Sequence, residues 1–287
     1  MTINELRNEC DGRLNEAGIS DHLTDSMLLI MHVLNVSRDH ILAHGTDPVE
    51  DDKAEKLLEL VRRRCEHVPL QYITGHQEFM GLDFAVNEHV LIPRQDTECL
   101  VEEAMIETGD GMRVLDLCTG SGCILISLMK YKNQIDGTGI DISEKALEVA
   151  SLNAEKNGVE AVFLCGDLYD ALNKEPEGSV SSGSRFDVII SNPPYIRSDV
   201  IPTLMEEVKD HEPGVALDGG NDGLLFYRRM IEGADEWLIP GGCILFEIGF
   251  DQGDAVSGML KDKGYRNVCV VKDLAGLDRV VKGHKRI

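Results

Sequence analysis

The second half of the chain alternates short apolar runs with stretches of helical periodicity, and this alternation constrains the fold most. Runs rich in branched aliphatic residues predict buried strands at 113–117, 135–140, 161–165, 186–191, 242–248, 265–271 and 279–281. Helices are predicted between the first three strands at 124–130 and 144–157. Strands that alternate with helices form a mainly parallel sheet with helices on both faces. The pattern therefore predicts an α/β fold, with a polar surface loop at 175–184.

The beginning of the chain, up to about residue 70, shows helical periodicity and little strand pattern. Leu6, Cys10 and Leu14 recur at four-residue spacing, which is typical of one buried helix face. A later helix is predicted to open at Asp47-Pro48, with a capping residue and a first-turn proline, and to end near His67.

Three segments follow from these patterns. Residues 1–75 are predicted to form a small helical domain, and its apolar stretch at 26–34 is too short to span a bilayer. Residues 76–92 alternate apolar and polar positions around a glycine, which predicts a hairpin linker. Residues 93–287 would form the α/β domain.

The composition limits the class of protein. There are 51 acidic against 28 basic residues, a formal net charge of −23, and such a surface repels nucleic-acid phosphates. The eight cysteines are scattered without C-x-x-C spacing, which favours reduced thiols over disulfides or a metal site. No signal-peptide pattern opens the sequence. We therefore expect a cytoplasmic protein that binds no metal, nucleic acid or membrane, with a monomer favoured.

A turn containing two glycines follows the predicted strand at 113–117. Cys118-Thr119-Gly120-Ser121-Gly122 connects that strand to a helix. Glycines let the backbone approach a ligand closely, and a helix N-terminus offers free N–H groups. Leu125 stands where a dinucleotide fold would need a third glycine. The turn therefore favours a cofactor without a pyrophosphate.

Acidic residues stand where the next two strands end. Asp141 closes the second strand, where a carboxylate can accept two ribose hydroxyl groups. Gly166-Asp167-Leu168 closes the third strand, within reach of an adenine ring if these strands are neighbours. Each feature alone is common as a turn or a helix cap, but their coincidence at consecutive strand ends indicates a binding site.

The tetrapeptide Asn192-Pro193-Pro194-Tyr195 follows the fourth strand, at the edge where open α/β sheets bind ligands. Two prolines fix φ twice and remove two backbone donors. The result is a stiff corner with free carbonyl groups, a side-chain amide and a flat phenol. Such a corner can hold a small planar group that bears N–H donors, although a simple proline turn with a surface tyrosine accounts equally well for the tetrapeptide alone.

Together, the glycine turn, Asp141 and the tetrapeptide resemble the class I methyltransferases, which use S-adenosylmethionine and methylate planar nitrogen atoms. Further blocks resemble the protein-glutamine N5-methyltransferases that modify peptide chain release factors, at 69–75, 79–84, 90–98, 219–224, 247–249 with Gln252, and 273–279. The resemblance covers nearly the whole chain. It implies a Rossmann-like, mainly parallel seven-stranded sheet with a small helical N-terminal domain.

The resemblance also implies an activity and a set of site residues. The activity is methyl transfer from S-adenosylmethionine, leaving S-adenosylhomocysteine, to the glutamine amide of the Gly-Gly-Gln motif in class I release factors. The implied cofactor-binding residues are Cys118, Thr119, Gly120, Ser121, Gly122, Asp141, Asp167, Leu168 and Asn192. The implied glutamine-binding residues are Asn192, Pro193, Pro194 and Tyr195, of which Asn192, Pro193 and Tyr195 are also the catalytic candidates.

Two positions depart from the family pattern. Cys118 stands where many relatives have glycine, so the backbone there must accept a side chain. Leu168 stands where an aromatic residue is common, so adenine stacking is either weaker or supplied by Tyr169.

Other substrates fit the same chemistry. Adenine N6 of a nucleic acid presents a similar planar donor pair but is disfavoured by the acidic charge. Glutamine methylation of a ribosomal protein is a second alternative, and a binding module without activity is a third. Because a protein substrate needs more surface than one pocket, residues 1–75 are expected to dock it rather than only to stabilise the fold.

Overall fold

The computed structural model describes residues 1–173 and 185–287, and the predicted surface loop at 175–184 lies outside them. The α-helices are α1 (Ile3–Glu16), α2 (His22–Leu34), α3 (Arg38–Ala43), α4 (Asp51–Cys65), α5 (Leu70–Thr74), α6 (Gln95–Glu107), α7 (Cys123–Tyr131), α8 (Glu144–Asn157), α9 (Glu206–Lys209), α10 (Leu225–Trp237) and α11 (Gly253–Asp262). The strands are β1 (His76–Phe79), β2 (Leu82–Ala85), β3 (Arg113–Leu117), β4 (Asp136–Asp141), β5 (Val162–Cys165), β6 (Phe186–Ser191), β7 (Leu238–Glu247), β8 (Arg266–Lys272) and β9 (Asp278–His284).

Seven strands form one sheet in the order β5-β4-β3-β6-β7-β9-β8. Strands β3 to β7 pair in parallel, while β9 pairs antiparallel with both β7 and β8. The prediction of a mainly parallel seven-stranded α/β sheet is therefore confirmed. Because β3, β4, β5 and β6 are neighbours and run the same way, their carboxyl ends meet at one edge.

The central strands β3 and β6 have apolar side chains on both faces, as expected of parallel strands covered by helices. Successive side chains of a strand point to opposite faces. Leu115 and Ile189 accordingly pack with apolar residues of α10 and α11, whereas Val114 and Val188 pack with those of α6 and α7. Burying each such side chain contributes roughly 1.5–3 kcal/mol to the stability of the fold, so packing on both faces stabilises the central strands.

Residues 1–76 form one compact unit together with 205–211, and residues 77–204 and 212–287 form the other. In the first unit, the predicted face of α1 is confirmed, since Leu6 and its neighbours one turn apart are buried in its apolar core. Within the described residues, no helix has the length and apolar character that a membrane crossing requires.

The predicted start of the fourth helix at Asp47-Pro48 is wrong. Helix α4 begins at Asp51, with Glu50 as its N-cap residue. Pro48 instead forms an isolated antiparallel bridge with Thr2. Pairing with the beginning of the chain keeps this segment extended, and a local capping pattern does not reveal such a long-range partner.

An ion-paired cluster attaches the segment 205–211 to the helical unit. The guanidinium of Arg64, a residue 5% exposed, lies 2.7 Å from Asp25 Oδ2 and 2.6 Å from Glu207 Oε1. Burial raises the pKa of the Asp25 carboxyl, while the hydrogen bond from Arg64 acts to lower it. Since an unpaired buried charge is costly, Asp25 depends on Arg64 for its stability in the fold.

Candidate active site

A cavity opens at the edge of the sheet where β3, β4, β5 and β6 end. The predicted cofactor residues that line it are Cys118, Thr119, Gly120, Ser121, Asp141, Asp167, Leu168 and Asn192. Pro194 also lines it, whereas Gly122, Pro193 and Tyr195 are not among its lining residues. The fold thus brings most of the predicted residues to one cavity of the second unit.

Both glycines of the turn after β3 have a left-handed backbone. Gly122 has φ +77° and is the N-cap of α7, and a Cβ there would lie 2.8 Å from Ile126 Cδ1 and 3.3 Å from Ala150 Cβ. Gly122 therefore allows α7 and α8 to pack closely. Gly120 has φ +55°, and a Cβ there would meet nothing within 4 Å. One side of the turn is packed against helices, and the other is open to a ligand.

The fully buried side chain of Asn153 on α8 supports this turn. Its Nδ2 donates hydrogen bonds to the carbonyl oxygens of Ser121 (2.9 Å) and Ala85 (3.0 Å), and its Oδ1 accepts from the Ala85 N–H (2.6 Å). A buried amide with these partners ties the turn to the end of β2. Sequence reasoning did not identify Asn153, because an Asn within a helical pattern carries no signal of its distant partners.

Cys118 has φ +61°, a conformation that favours glycine and costs other residues roughly 1–2 kcal/mol. The backbone at this position therefore accepts the cysteine side chain, as expected where cysteine replaces the glycine of many relatives. Burial raises the pKa of the Cys118 thiol far above its usual value, and the nearby Asp141 adds to the shift. The thiol is accordingly neutral and forms a small apolar part of the cavity wall.

Asp141 stands at the end of β4 with both carboxylate oxygens anchored. Oδ2 accepts the Gly120 N–H and Oδ1 accepts the Ser143 N–H, each at 2.9 Å. Burial raises the pKa of Asp141, and the two N–H groups act in the opposite direction. Each oxygen keeps a further lone pair, so the carboxylate can accept two neighbouring hydroxyl groups of a ligand.

The expectation that Tyr169 could stack on an adenine is wrong. Tyr169 is 7% exposed, and its hydroxyl donates to the Met230 carbonyl oxygen at 2.9 Å within the core. The left-handed φ of Leu168 (+51°) starts a 3-10 helix that turns Tyr169 inward. Leu168 itself lines the cavity, and so does the aromatic ring of Phe226 at the start of α10.

Asp167 is bound by a residue of the same helix α10. Arg229 Nη2 lies 2.8 Å from Asp167 Oδ2, and its guanidinium carbon lies 5.9 Å from the centre of the Phe226 ring. Arg229 also lines the cavity. Neither Phe226 nor Arg229 was predicted, because both belong to an amphipathic helix whose sequence does not show which neighbours it covers.

Asn192 is half-buried at the end of β6, and its orientation is defined by a hydrogen bond. Its Nδ2 donates to Thr97 Oγ1 at 3.2 Å. The preceding residue, Ser191, donates from Oγ to the Leu117 carbonyl oxygen at 2.5 Å, which joins the ends of β6 and β3. With Nδ2 engaged, Oδ1 is the atom of Asn192 available to accept a hydrogen bond from a ligand.

Tyr195 is anchored at both its hydroxyl and its backbone. The hydroxyl donates to Glu247 Oε1 at 3.2 Å, and the carbonyl oxygen accepts from Gln252 Nε2 at 3.0 Å. Burial raises the pKa of Tyr195, and the charge of Glu247 adds to the rise, so the phenol is neutral. These contacts place Tyr195 as a support of the tetrapeptide corner.

One cluster of potential metal ligands occurs among the described residues, away from this cavity. Ligand atoms of Glu107, Cys243 and His284 lie within 4.8 Å of one another. Glu107 is already paired with Lys282 Nζ (2.6 Å) and His284 Nε2 (3.0 Å). Burial raises the pKa of the Cys243 thiol well above its usual value. The cluster is therefore explained as an ion-pair network around a neutral thiol.

Two family models match separate parts of the chain. Residues 5–75 match the PrmC N-terminal domain, and residues 108–215 match a methyltransferase domain. A crystal structure of a methyltransferase from Pyrococcus furiosus aligns with a TM-score of 0.53 at 18% identity, covering 83% of this chain and all of that one. This likeness concerns the fold, which is that of the class I methyltransferases.

Relatives with similar sequences identify the family within this fold. The chain is 40% identical over 272 residues to the release factor glutamine methyltransferase of Clostridium acetobutylicum, covering 93% of each chain. It is 38% identical over 282 residues to the release factor glutamine methyltransferase of Geobacter sulfurreducens, covering 98% of this chain and 96% of that one. At such identity over nearly the full length of both partners, the chain belongs to the release factor glutamine methyltransferase family.

Proposed function

We propose that this protein transfers a methyl group from S-adenosylmethionine to the N5 amide nitrogen of the glutamine in the Gly-Gly-Gln motif of class I release factors. The observation that carries the proposal is the Asn192 side chain at the cavity, with Nδ2 bound to Thr97 and Oδ1 available as an acceptor. A primary amide has two N–H donors and needs such acceptors. The family relationship supplies the class of substrate.

The residues of the cavity fit S-adenosylmethionine. Asp141 offers a carboxylate for the two ribose hydroxyl groups, and the open side of Gly120 allows a ligand to approach the backbone. Leu168 and Phe226 offer apolar and aromatic surface for an adenine, with Asp167 beside them as a hydrogen-bond acceptor. The cofactor would supply an activated methyl group.

The protein's part in the chemistry is to hold the glutamine amide. An amide nitrogen is a poor nucleophile because its lone pair is delocalised into the carbonyl group, so accurate placement matters and can be worth roughly 7–11 kcal/mol. We propose that Asn192 Oδ1 accepts one amide N–H and that, as the family resemblance implies, the Pro193 carbonyl oxygen accepts the other. Both acceptors also stabilise the positive charge that develops on nitrogen. No basic side chain is required, because the methylated nitrogen becomes acidic and releases its proton to water.

The assay that tests this function offers the protein isotopically labelled S-adenosylmethionine and three substrates: a release factor, a ribosomal protein and a nucleic acid. Mass spectrometry then locates the label. We expect it on the Gly-Gly-Gln glutamine, and label on a nucleobase or a ribosomal protein instead would overturn the proposal. Asn192→Ala should reduce turnover at least a hundredfold while cofactor affinity, measured by calorimetry, largely survives. Asn133→Ala, which changes an exposed asparagine just after α7, is the matched control and should leave both unchanged.

We further propose that residues 1–75 dock the release factor. In support, this unit exposes the large apolar side chains of Leu23 (63%) and Leu42 (59%). Leu42→Ser should raise KM for an intact release factor several-fold but leave KM for a short Gly-Gly-Gln peptide unchanged. Ile106→Ser, which changes an equally exposed residue of α6 (71%), serves as the control. Equal effects of the two variants on both substrates would argue against docking by this unit.

A further inference from the structure

The orientation of the Asn192 amide depends on a residue of another element. Thr97 lies in the first turn of α6, 2% exposed, and its Oγ1 accepts the hydrogen bond from Asn192 Nδ2. Because Oγ1 accepts from Asn192, the single hydroxyl proton of Thr97 must be donated elsewhere.

Glu247, the last residue of β7, is a buried carboxyl group near Thr97. It is 1% exposed, and its Oε1 accepts the hydroxyl of Tyr195. Its Oε2 has no partner with full hydrogen-bond geometry in the described part of the chain, yet the Thr97 hydroxyl is close enough to lower the pKa of this carboxyl. Glu247 thus binds Tyr195 at one end of the tetrapeptide directly and lies near Thr97, which binds Asn192 at the other end.

The charges around Glu247 come from several elements. Among the described residues, the charged and titratable groups that face it are Arg279 of β9, Asp96 of α6, Cys123 of α7, Tyr195 after β6 and, through its backbone oxygen, the hydroxyl of Tyr227 in α10. Arg279 also pairs with Asp96 (2.9 Å) and with Asp273 (3.0 Å). Burial raises the pKa of Glu247 to about 7, and the Thr97 hydroxyl and Arg279 oppose the rise.

We propose that Thr97 and Glu247 are positioning residues that orient the Asn192 carboxamide, so that Oδ1 rather than Nδ2 meets the substrate. The proposal rests on the proposed function for its substrate. With the carboxamide reversed, Nδ2 would oppose the N–H donors of the glutamine amide, and the acceptor would be lost. Neither residue needs to touch the cofactor or the glutamine for this effect.

Thr97→Val is the main test, because valine keeps the shape of threonine and removes the acceptor. We expect kcat for release-factor methylation to fall at least tenfold, with the Kd for the cofactor unchanged within twofold. Thr97→Ser restores the hydroxyl and should recover most of the lost kcat. Thr108→Val is the matched control, since Thr108 is similarly buried (3%) at the other end of α6 and donates its hydroxyl proton to the Ala104 carbonyl oxygen.

Glu247→Gln separates a positioning role from a merely structural one through the pH profile. In the native protein, a protonated Glu247 would donate to Thr97 Oγ1 and compete with Asn192, so kcat should fall below about pH 7. The Gln variant should have a low kcat at all pH values, without the fall below about pH 7 that forms the acidic limb of the native profile. A Gln variant with native kcat, or with the same limb, would overturn the role of Glu247.

A second measurement does not depend on turnover. In protein with ¹⁵N-labelled asparagine, the Asn192 carboxamide signal is assigned by its disappearance in Asn192→Asp. We expect its protons to exchange with water at least tenfold faster in Thr97→Val than in Thr108→Val. Equal exchange rates, or native kcat in Thr97→Val, would overturn the inference. If the native protein methylates no release factor, the proposed function fails, and the exchange rates alone decide on the orientation of Asn192.

Discussion

The backbone N–H of Gly120 donates a hydrogen bond to Asp141 Oδ2 over 2.9 Å. This bond connects the turn after β3 to the end of the neighbouring strand β4. It fixes one carboxylate oxygen of Asp141, and the Ser143 N–H fixes the other. The carboxylate is thus held at the cavity before any ligand binds, which reduces the entropy lost on binding.

We expect Asp141→Ala to weaken S-adenosylmethionine binding at least tenfold in calorimetry, because the acceptor for the ribose hydroxyl groups is lost. Asp136→Ala is the matched control, since it removes an exposed carboxylate at the opposite end of the same strand. The control should bind the cofactor with native affinity. Unchanged affinity in the Asp141 variant would exclude this carboxylate from the site.

Gly122→Ala should destabilise the second unit by roughly 2–4 kcal/mol, since it combines a left-handed backbone with a contact of 2.8 Å to Ile126 Cδ1. Gly158→Ala, at φ +66° and in open space, should cost only about 1 kcal/mol. Urea unfolding, followed by the fluorescence of the single tryptophan, Trp237, measures both. Equal losses would show that packing of α7 on α8 does not depend on the glycine.

Arg64→Ala should destabilise the helical unit by about 3–5 kcal/mol, because it leaves the carboxylate of Asp25 buried without its partner. Arg62→Ala removes an exposed arginine of the same helix, paired with Glu59, and should have no measurable effect. Hydrogen exchange of α2 and α4 reports the difference. Native protection of both helices in the Arg64 variant would contradict the expected dependence.

The stability of the protein should fall as pH rises from about 4 to 7, in part because of Asp116. Burial raises its pKa to about 7, and the hydrogen bond from Thr119 Oγ1 (2.6 Å) opposes the shift. Between the unfolded and folded pKa values, the folded state keeps a proton that the unfolded chain has released, so stability is lost with rising pH.

Asp116→Asn should make the free energy of unfolding less dependent on pH. A pKa shift of this size changes that free energy by up to about 4 kcal/mol over this pH range. Denaturant unfolding at several pH values between 4 and 8 provides the measurement. A slope that is the same in the variant and the native protein would show that Asp116 does not keep its proton in the fold.

The strands, the glycine turn and Asp141 were predictable from local patterns. Apolar runs determine strands through burial, and Gly120 and Gly122 are required by a backbone that only glycine adopts without strain. Parallel pairing then brings the consecutive strand ends to one edge, so the position of the cavity follows from the order of elements.

Other features depended on contacts between distant residues. Thr97 and Asn192 are 95 positions apart, and Phe226 reaches the cavity from a helix beyond β6. The sequence by itself determined the parallel α/β class, the turn and the family. Only the tertiary structure decided that Tyr169 faces the core and that Glu247 supports the tetrapeptide. The physical reason is that the partners of a side chain are set by how helices and strands pack, which no local pattern encodes.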